Sequence, residues 1–346
     1  MAVLFMDSFD LYSSKAQVIA AGWGSEHPTN IDFSTSSGRF GGGCLTYSGG
    51  TTGWVAPVLV AAGSTITIAA ALFVNLTGGS AADVVILGQS SFSDNAFRLD
   101  VNASGDLSAY NRSGVQVGST AVAALTDDSW HWFEMQVVIG TTISNGSIEV
   151  KINGTSVITA TSIDTRGSNV PNVAHISFRG SSGDTRWDDI IIMDGTGVGM
   201  NGFIGDSKID VLIPNSDSSP SDWTASAGSD FQCVDDGIGG SNDDTDYISS
   251  STVGQVSEFQ MSNFADNPTA VYCVQARARA RKEDAGERTF RLYIESGATV
   301  DNGVEMGGTI GYSWRRNGVW NRNPNGSVVW NKNTVNALKV GAEIVS

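Results

Sequence analysis

Apolar residues in the first 200 positions fall into short runs and alternating segments, separated by turns rich in glycine and serine. The runs STITIAAALFVNL (64–76) and ADVVILGQ (82–89) predict buried strands. The alanines of the first run also suit a helix, but its β-branched residues and the flanking Gly63 and Gly78 favour a strand. No segment shows a convincing amphipathic helix, so the pattern predicts two antiparallel sheets packed face to face.

Hairpin signals place the turns between these strands. AFRLDVNASGDLSAYN (96–111) predicts a hairpin that turns at Ser104 and Gly105. WHWFEMQVVIG (130–140) is followed by SIEVKINGTSVITAT (147–161), whose central Asn-Gly pair predicts a two-residue turn because both positions tolerate a positive φ. The segments HISFRG and TRWDDIIIMD predict the last two strands of this part of the chain.

The stretch from Trp187 to Pro214 marks the boundary between two domains. It begins as a buried strand with three consecutive isoleucines, continues as a glycine-rich run and ends as an alternating segment at the proline. We therefore predict a jelly-roll domain over residues 1–196, a glycine-rich linker over 197–206 and a second, smaller β-sandwich over 207–346. The linker is interpreted as a short swivel between an anchored domain and a displayed one.

The composition supports an all-β protein and excludes some partners. Of the 346 residues, 16% are charged and 41 are glycine, which is typical of many tight turns rather than helices. With 36 acidic and 20 basic residues, the formal net charge is -16. Nucleic acid and anionic membranes are therefore unfavourable partners. No apolar run approaches the roughly 20 residues that a membrane span requires.

The N-terminus and the cysteines bear on the compartment. The opening MAVLFMDSFDLY lacks the basic and apolar regions of a signal peptide, so we expect synthesis in a cytoplasm without membrane insertion. Cys44, Cys233 and Cys273 are odd in number and widely spaced, which favours three buried thiols over a disulfide framework or a zinc site.

Several short motifs resemble those of one protein group. They are the opening D-S-F-D, D-x-W-H-W-F-E (128–134), V-K-I-N-G-T (150–155) and the closing W-D-D-I-I-I-M-D. Their order resembles the concanavalin A/laminin G-like jelly roll, in the version found in virion proteins of tailed bacteriophages. In that fold the aromatic strand lies beside the Asn-Gly hairpin, and the first and last strands of the domain pair. The second half carries further motifs of the same group, ending in N-A-L-K-V-G (336–341).

The resemblance implies a non-enzymatic structural component of a phage particle. The leading interpretation is a tail-associated fibre or accessory protein with a lectin-like domain for contact with the host surface or the virion. The alternatives are a head decoration or head-fibre protein, and a carbohydrate-binding or glycan-hydrolysing module. Expected partners are other virion proteins, further copies of the chain and a host-surface glycan. The expected location is the virion, after synthesis in the host cytoplasm.

Catalytic motifs are missing from the sequence. Related glycoside hydrolases carry E-x-D-x-x-E on one strand so that two carboxyl groups face the cleft, and this pattern is absent. Asp188 and Asp189 are adjacent, so on a regular strand they face opposite ways. Glu134 and Glu149 are expected to be solvent-facing or salt-bridged, and His131 is expected at the surface. We predict no catalytic residues and no enzyme activity.

One acidic loop is a candidate calcium site. Calcium needs six to eight oxygen ligands, and the loop supplies several carboxylates close to glycines. The alternative is a solvated acidic turn whose aspartates cap their own backbone. The predicted ligands are Asp235, Asp236, Asp243, Asp244 and Asp246.

A second candidate site combines arginine and tryptophan near the C-terminus. The alternation in residues 271–281 places arginines on one face of a strand and alanines on the other. Arginine and tryptophan are enriched at interface hot spots, so these residues predict a surface for a carbohydrate or a protein partner. The alternative is an ordinary arginine strand paired with nearby carboxylates. The predicted residues are Arg277, Arg279, Arg281, Trp314, Arg315, Arg316 and Trp320.

Overall fold

The computed structural model divides into two compact units, residues 1–209 and 210–346. It describes residues 3–25, 29–47, 52–56, 58, 61, 63–77, 82–88, 95–166, 172–180, 185–196, 200–236 and 244–346. The prediction of an all-β protein is confirmed, since both units consist of antiparallel strands with only short helices. Neither α-helix in the described part of the chain has the length and apolar character that a membrane crossing requires.

The first unit contains one short helix and fifteen strands in its described residues. They are β1 Val3–Asp7, α1 Lys15–Ala20, β2 Gly24–Ser25, β3 Ile31–Ser34, β4 Cys44–Tyr47, β5 Thr52–Ala56, β6 Thr65–Val74, β7 Ala82–Gly88, β8 Asn95–Val101, β9 Leu107–Asn111, β10 Gln116–Ser119, β11 Ser129–Val138, β12 Gly146–Ile152, β13 Thr155–Ile163, β14 His175–Gly180 and β15 Thr185–Asp194.

These strands form two antiparallel sheets. The eight-stranded sheet has the order β13-β12-β11-β6-β15-β4-β3, with β1 also pairing with β15. The seven-stranded sheet has the order β10-β9-β8-β7-β14-β5-β2. The aromatic strand β11 therefore lies beside the β12–β13 hairpin, and the first strand pairs with the last, as the resemblance implies.

Aromatic residues from both sheets pack together between them. Phe178 on the seven-stranded sheet lies 5.2 Å, ring to ring, from Trp187 on the eight-stranded sheet, in an edge-to-face contact. Phe133 meets the same tryptophan at 5.6 Å, also edge to face. Such contacts stabilise an aromatic pair beyond simple area burial, by about 0.5–1.5 kcal/mol. The central strand β6 lies under this core, and nine of its ten residues are buried, which explains its continuous apolar run.

The predicted Asn-Gly turn forms as expected. Asn153 and Gly154 have φ values of 50° and 79°, the left-handed conformation that a two-residue hairpin turn requires. The Asn153 side-chain oxygen also accepts a hydrogen bond from the Trp132 backbone N–H at 2.9 Å, which links the turn to strand β11. The conformational preference of Asn153 and its contact with β11 therefore both favour the same turn.

The second unit contains nine strands, one short α-helix and one 3-10 turn in its described residues. They are β16 Pro214–Ser221, β17 Thr224–Ala225, the 3-10 turn Phe231–Cys233, β18 Ile248–Ser249, β19 Val256–Met261, β20 Val274–Ala280, β21 Thr289–Ser296, β22 Thr299–Gly307, β23 Ser313–Trp320, α2 Lys332–Asn336 and β24 Lys339–Ile344.

The core of the second unit lies between a five-stranded sheet and a two-stranded ribbon. The sheet has the order β16-β19-β24-β21-β22, and the ribbon pairs β20 with β23. Leu292 and Ile294 on the sheet share one buried cluster with Ala276 and Trp320 on the ribbon. Trp314 and Trp320 both lie on the continuous strand β23.

The boundary between the units differs in detail from the predicted linker. The first unit ends at Ile209 and the second begins at Asp210. Residues 197–199 lie outside the described residues, but 200–206 are described and contact the first unit. The alternating segment before Pro214 is not a strand, since β16 begins at that proline. The described part of the predicted linker is therefore packed against the first unit.

Candidate functional site

The outer face of the seven-stranded sheet carries a band of charged and polar side chains. Register defines this face, because cross-strand partners point to the same side of a sheet. Phe178 and its partners Trp54 and Val85 point into the core, so the alternate residues of β5, β14, β7, β8 and β9 point outward. The outward residues that form this polar face are Gly53, Asp83, Ile86, Gly88, Arg98, Asp100, Ser108, Tyr110, His175, Ser177 and Arg179.

Two glycines flatten the polar face around β14. Gly53 pairs with Arg179, and a Cβ at Gly53 would overlap that arginine and Ser177. Gly88 pairs with His175, and a Cβ there would overlap the imidazole ring. The arginine and histidine side chains therefore lie along the sheet across glycine positions, and both are less than 10% exposed. The glycines have a packing role here that sequence alone does not reveal.

Ion pairs connect the side chains of the polar face across three strands. Arg179 Nη1 donates to Asp83 Oδ2 at 2.7 Å. Arg98 Nε lies 3.7 Å from Asp83 Oδ1 and 3.2 Å from Asp100 Oδ1. The Arg98 side chain is 35% exposed, more than either of its carboxylate partners. Fixed guanidinium donors and carboxylate acceptors thus alternate along one line, with Arg98 accessible to solvent.

Asp83 and Asp100 are neighbours in the register between β7 and β8. Burial raises the pKa of Asp100 to about 7, helped by its hydrogen bond to the Asp83 carboxyl and by that group's negative charge, while Arg98 opposes the shift. Two carboxyl groups in direct hydrogen-bond contact share a proton, since two like charges at that distance are unfavourable. The proton of Asp100 is engaged within the pair, so the pair offers carboxylate acceptors to a ligand and the arginines offer the donors.

An aromatic ring borders this pair. The Arg98 guanidinium carbon lies 4.5 Å from the centre of the Tyr110 ring, at cation–π distance. Tyr110 pairs directly with Arg98 in the register of β8 and β9. The tyrosine adds an amphipathic ring next to the ionic groups, a combination that suits a ligand with both apolar faces and hydroxyl groups.

The predicted arginine and tryptophan surface of the second unit is only partly assembled. Arg277 pairs with Arg316 and Arg279 pairs with Trp314, so these four share the ribbon face away from the core. Arg315 pairs with Ala278 and takes the other face.

Trp320 and Arg281 also depart from that shared face. Trp320 is 9% exposed and belongs to the buried cluster of the second unit, and the indole N–H of Trp330 donates to the Trp320 carbonyl at 2.8 Å. Arg281 lies just beyond strand β20 and pairs with Glu283 at 3.2 Å. The site prediction for Trp320 is therefore corrected, since packing rather than surface exposure places it.

One of the predicted calcium ligands, Asp244, contacts the same ribbon. Asp244 forms an ion pair with Arg279 at 2.6 Å, which corresponds to the alternative of arginines paired with nearby carboxylates. Asp243 lies outside the described residues, as do 237–242. Asp235, Asp236 and Asp246 are described. Among the described residues, no three His, Cys, Asp or Glu side chains are arranged to hold a metal ion.

Three expectations about acidic and histidine side chains in the first unit are wrong. Glu134 is 1% exposed and His131 is 5% exposed, whereas both were expected to lie nearer solvent. His131 Nε2 accepts from the Thr126 backbone N–H at 3.0 Å. Asp188 and Asp189 do not simply face opposite ways, because a β-bulge and a φ of 49° at Asp189 turn both side chains into buried positions. The first histidine of the sequence, His27, lies outside the described residues.

Sequence reasoning missed the polar face. The alternation of A-F-R-L-D-V does place Arg98 and Asp100 on one face, so these two members of the polar face could be predicted from the sequence. Asp83 joins them only because a register shift between Asp83 and Val85 moves it to the outer side of β7. Arg179 joins from a strand 96 residues away from Asp83. Neither the bulge nor the long-range pairing leaves a local signal.

Comparisons with known proteins identify no family and give only distant structural likenesses. No protein-family model matches the chain, and a search of curated proteins gives no match. One similar solved structure is a protein of unknown function with a galectin-like fold from Bacillus subtilis. It is 14% identical with a TM-score of 0.40, over 56% of this chain and 96% of that chain.

Two further solved structures have similar values. The cellulose induced protein Cip1 is 18% identical with a TM-score of 0.39, over 54% of this chain and 96% of that chain. The carbohydrate binding module CBM66 from Bacillus subtilis is 9% identical with a TM-score of 0.36, over 50% of this chain and 96% of that chain. At these identities and TM-scores the likenesses establish no function, which is inferred below from this chain's own residues.

Proposed function

We propose that the chain is a non-enzymatic glycan-binding protein and that the polar face of the first unit is its binding surface. The observation that carries this proposal is the line Arg179–Asp83–Arg98–Asp100, bordered by Tyr110. Sugar hydroxyls both donate and accept hydrogen bonds, and this line presents fixed donors and acceptors in alternation. The tyrosine ring offers an apolar surface for the C–H face of a sugar ring.

Binding is favoured over hydrolysis by the spacing of the two carboxyl groups. Glycosidases separate their two carboxyl groups by about 5 Å or more, so that the scissile bond or a water molecule fits between them. Asp83 and Asp100 are instead in hydrogen-bond contact with each other and are each held by a guanidinium. Such a pair can recognise hydroxyl groups but leaves no room for the reacting atoms.

A glycan array probed with the full chain tests this proposal. Arg98→Gln removes the most exposed charge of the line and keeps one N–H donor at about the position of the arginine Nε, and we expect a loss of more than about tenfold in affinity. The matched control is Arg291→Gln in the second unit, where the arginine pairs with Glu343 at 2.7 Å and is 26% exposed. Silence across the array, or equal binding by both variants, would contradict the proposal.

The setting that we propose is the particle of a tailed bacteriophage. Its support is the order of sequence motifs from D-S-F-D to N-A-L-K-V-G, together with the strong negative charge. A tail-associated fibre or accessory protein is the first form of this proposal, and head decoration is the second. Immunogold electron microscopy of particles distinguishes the two. Label confined to the tail supports the first, label over the head in hundreds of copies supports the second, and unlabelled particles oppose both.

A further inference from the structure

Residues 200–209 lie against the eight-stranded sheet without adding a strand to it. They begin at Met200, which is only 2% exposed, and form no strand in this stretch. The ring of Phe203 packs on Lys151 of β12, with the ammonium nitrogen 3.9 Å from the ring centre. We call residues 200–209 the strap. Three side-chain anchors hold it, two from strands β11 and β15 and one from the loop between β3 and β4.

The first anchor is Glu134 on β11. Its side chain points away from the core, yet the residue is 1% exposed. Its Oε1 accepts hydrogen bonds from the backbone N–H groups of Ile204 at 2.7 Å and Gly205 at 3.1 Å. Gly205 has a φ of 73°, which turns both amides towards one oxygen and suits a residue without a Cβ. Two charge-assisted hydrogen bonds therefore fix the middle of the strap.

The second anchor is Arg39, which lies between β3 and β4. Its Nη2 contacts the Asp206 carboxylate at 2.7 Å, and its Nη1 donates to the Ser207 carbonyl at 3.2 Å. The guanidinium carbon also lies 5.6 Å from the Trp132 ring centre. Trp132 is on the outer side of β11 and is 1% exposed. The arginine thus joins the strap to the sheet and covers an aromatic side chain.

The third anchor is Asp189 at the bulge of β15. Its Oδ1 accepts from the Ile209 backbone N–H at 2.8 Å. Its Oδ2 is buried and has no hydrogen-bond partner among the described residues. The neighbouring Asp188 is 4% exposed and accepts from the Arg39 backbone N–H at 2.8 Å. Two adjacent buried carboxyl groups thus stand where the strap ends, and one oxygen is able to carry a proton without breaking any hydrogen bond.

The ionisation of this pair is shifted strongly. Burial raises the pKa of Asp188 to about 7, and burial followed by the charge of Asp188 raises the pKa of Asp189 well above its usual range. The docked pair therefore holds a proton that an exposed aspartate would have lost. Asp10 after β1 and Arg39 are the charged groups that act on the pair. Further out, Glu134 on β11 binds the strap backbone, Asp206 pairs with Arg39, and Lys208 acts on Asp10.

We propose that the strap detaches from the eight-stranded sheet when the Asp188–Asp189 pair loses its proton. Two buried negative charges then repel each other, and opening rehydrates them. Docking is favoured while the pair is protonated and loses that advantage as the pH rises through about 7. The strap ends where the second unit begins, so its release frees about 35 Å of extendable chain between the units. This device does not depend on glycan binding.

Hydrogen–deuterium exchange of the full chain tests the proposal. After correction for intrinsic exchange rates, we expect protection of the Ile204, Gly205 and Ile209 amides to fall more than about tenfold between roughly pH 6 and pH 8.5. Amides of the central strand β6 should keep their protection over the same range. If amide protection in the strap does not change with pH, or if β6 loses as much protection as the strap, the proposal is overturned.

Two variants distinguish the effect of the proton on the Asp188–Asp189 pair from the effect of the hydrogen bonds that anchor the strap. Asp189→Asn keeps an oxygen for the Ile209 amide and replaces the partnerless Oδ2, so its strap should remain protected at the higher pH. Glu134→Gln also keeps its acceptor oxygen but not its charge, so protection should be lower at every pH while the pH dependence remains. If Asp189→Asn fails to fold, Asp188→Asn takes its place. A normal pH dependence in either aspartate variant would refute the assignment.

Discussion

Replacing Asp100 by asparagine tests the shared carboxyl pair on the polar face. The pKa of Asp100 is raised to about 7 by burial first and by the Asp83 carboxyl second, so the folded chain binds its proton more tightly than the unfolded chain does. This contribution to stability is fully present below the unfolded pKa of 3.8 and is lost as the pH rises through about 7. Asp100→Asn cannot titrate, so it lacks this pH dependence.

The magnitude follows from the size of the shift. A shift of about three units corresponds to about 4 kcal/mol in total, at about 1.4 kcal/mol for each unit. Roughly two of these units lie above pH 5, so only that part of the free energy is lost between pH 5 and pH 8. The partial exposure of the Asp100 side chain (17%) and the opposing charge of Arg98 reduce it further. We therefore expect the variant to gain about 1–3 kcal/mol relative to the wild type between about pH 5 and pH 8.

Scanning calorimetry of both proteins across this pH range provides the measurement. The matched control is Asp128→Asn, at an exposed turn position with a φ of 53° that asparagine also adopts. It should follow the wild type at every pH. If Asp100→Asn and the wild type lose the same stability as the pH rises, the two carboxyl groups do not share a proton and the reasoning is refuted.

Three further substitutions test the packing described above. Gly341→Ala should destabilise the second unit by about 1–3 kcal/mol, because its Cβ would overlap the Tyr293 ring, whereas Gly307→Ala has open space and should change little in a calorimetric comparison. Trp320→Ala should cost the second unit about 3–5 kcal/mol in urea unfolding, an outcome that an exposed tryptophan would not give. Asn153→Ala should cost the first unit about 1–2 kcal/mol, since alanine loses both the left-handed turn preference and a side-chain hydrogen bond; an unchanged melting temperature would contradict this.

The sequence predicts correctly those turns and strands that depend only on residues close together in the chain. The Asn-Gly turn at 153–154 needs only two residues with positive φ, and strand β6 needs only a continuous apolar run between turns. Strands β14 and β15 also match the segments HISFRG and TRWDDIIIMD residue for residue. In each case the hydrophobic pattern, the turn residues and the tertiary structure favour the same conformation.

Non-local causes explain what the sequence left undetermined. A β-bulge has no reliable sequence signal, so the alternation rule put Asp188 and Asp189 on opposite faces and the bulge overrode it. Glu134 is buried because a segment 70 residues further along the chain covers it, and its carboxylate accepts a hydrogen bond from a backbone N–H of that segment. Trp320 resembles an exposed residue among arginines and asparagines, but the five-stranded sheet packs against it. Contacts of this range cannot be derived from spacing alone.

The two outer faces of the first unit divide the proposed roles between them. Arg39, which anchors the strap, covers Trp132 on the outer side of the eight-stranded sheet, and Trp132 is 1% exposed. Arg98 belongs to the other sheet and remains partly accessible. The aromatic core around Phe178 and Trp187 separates these faces, and changes at sites without shared partners are usually additive. Arg98→Gln should therefore leave strap protection unchanged, and Asp189→Asn should leave glycan affinity unchanged, so each proposal can fail without the other.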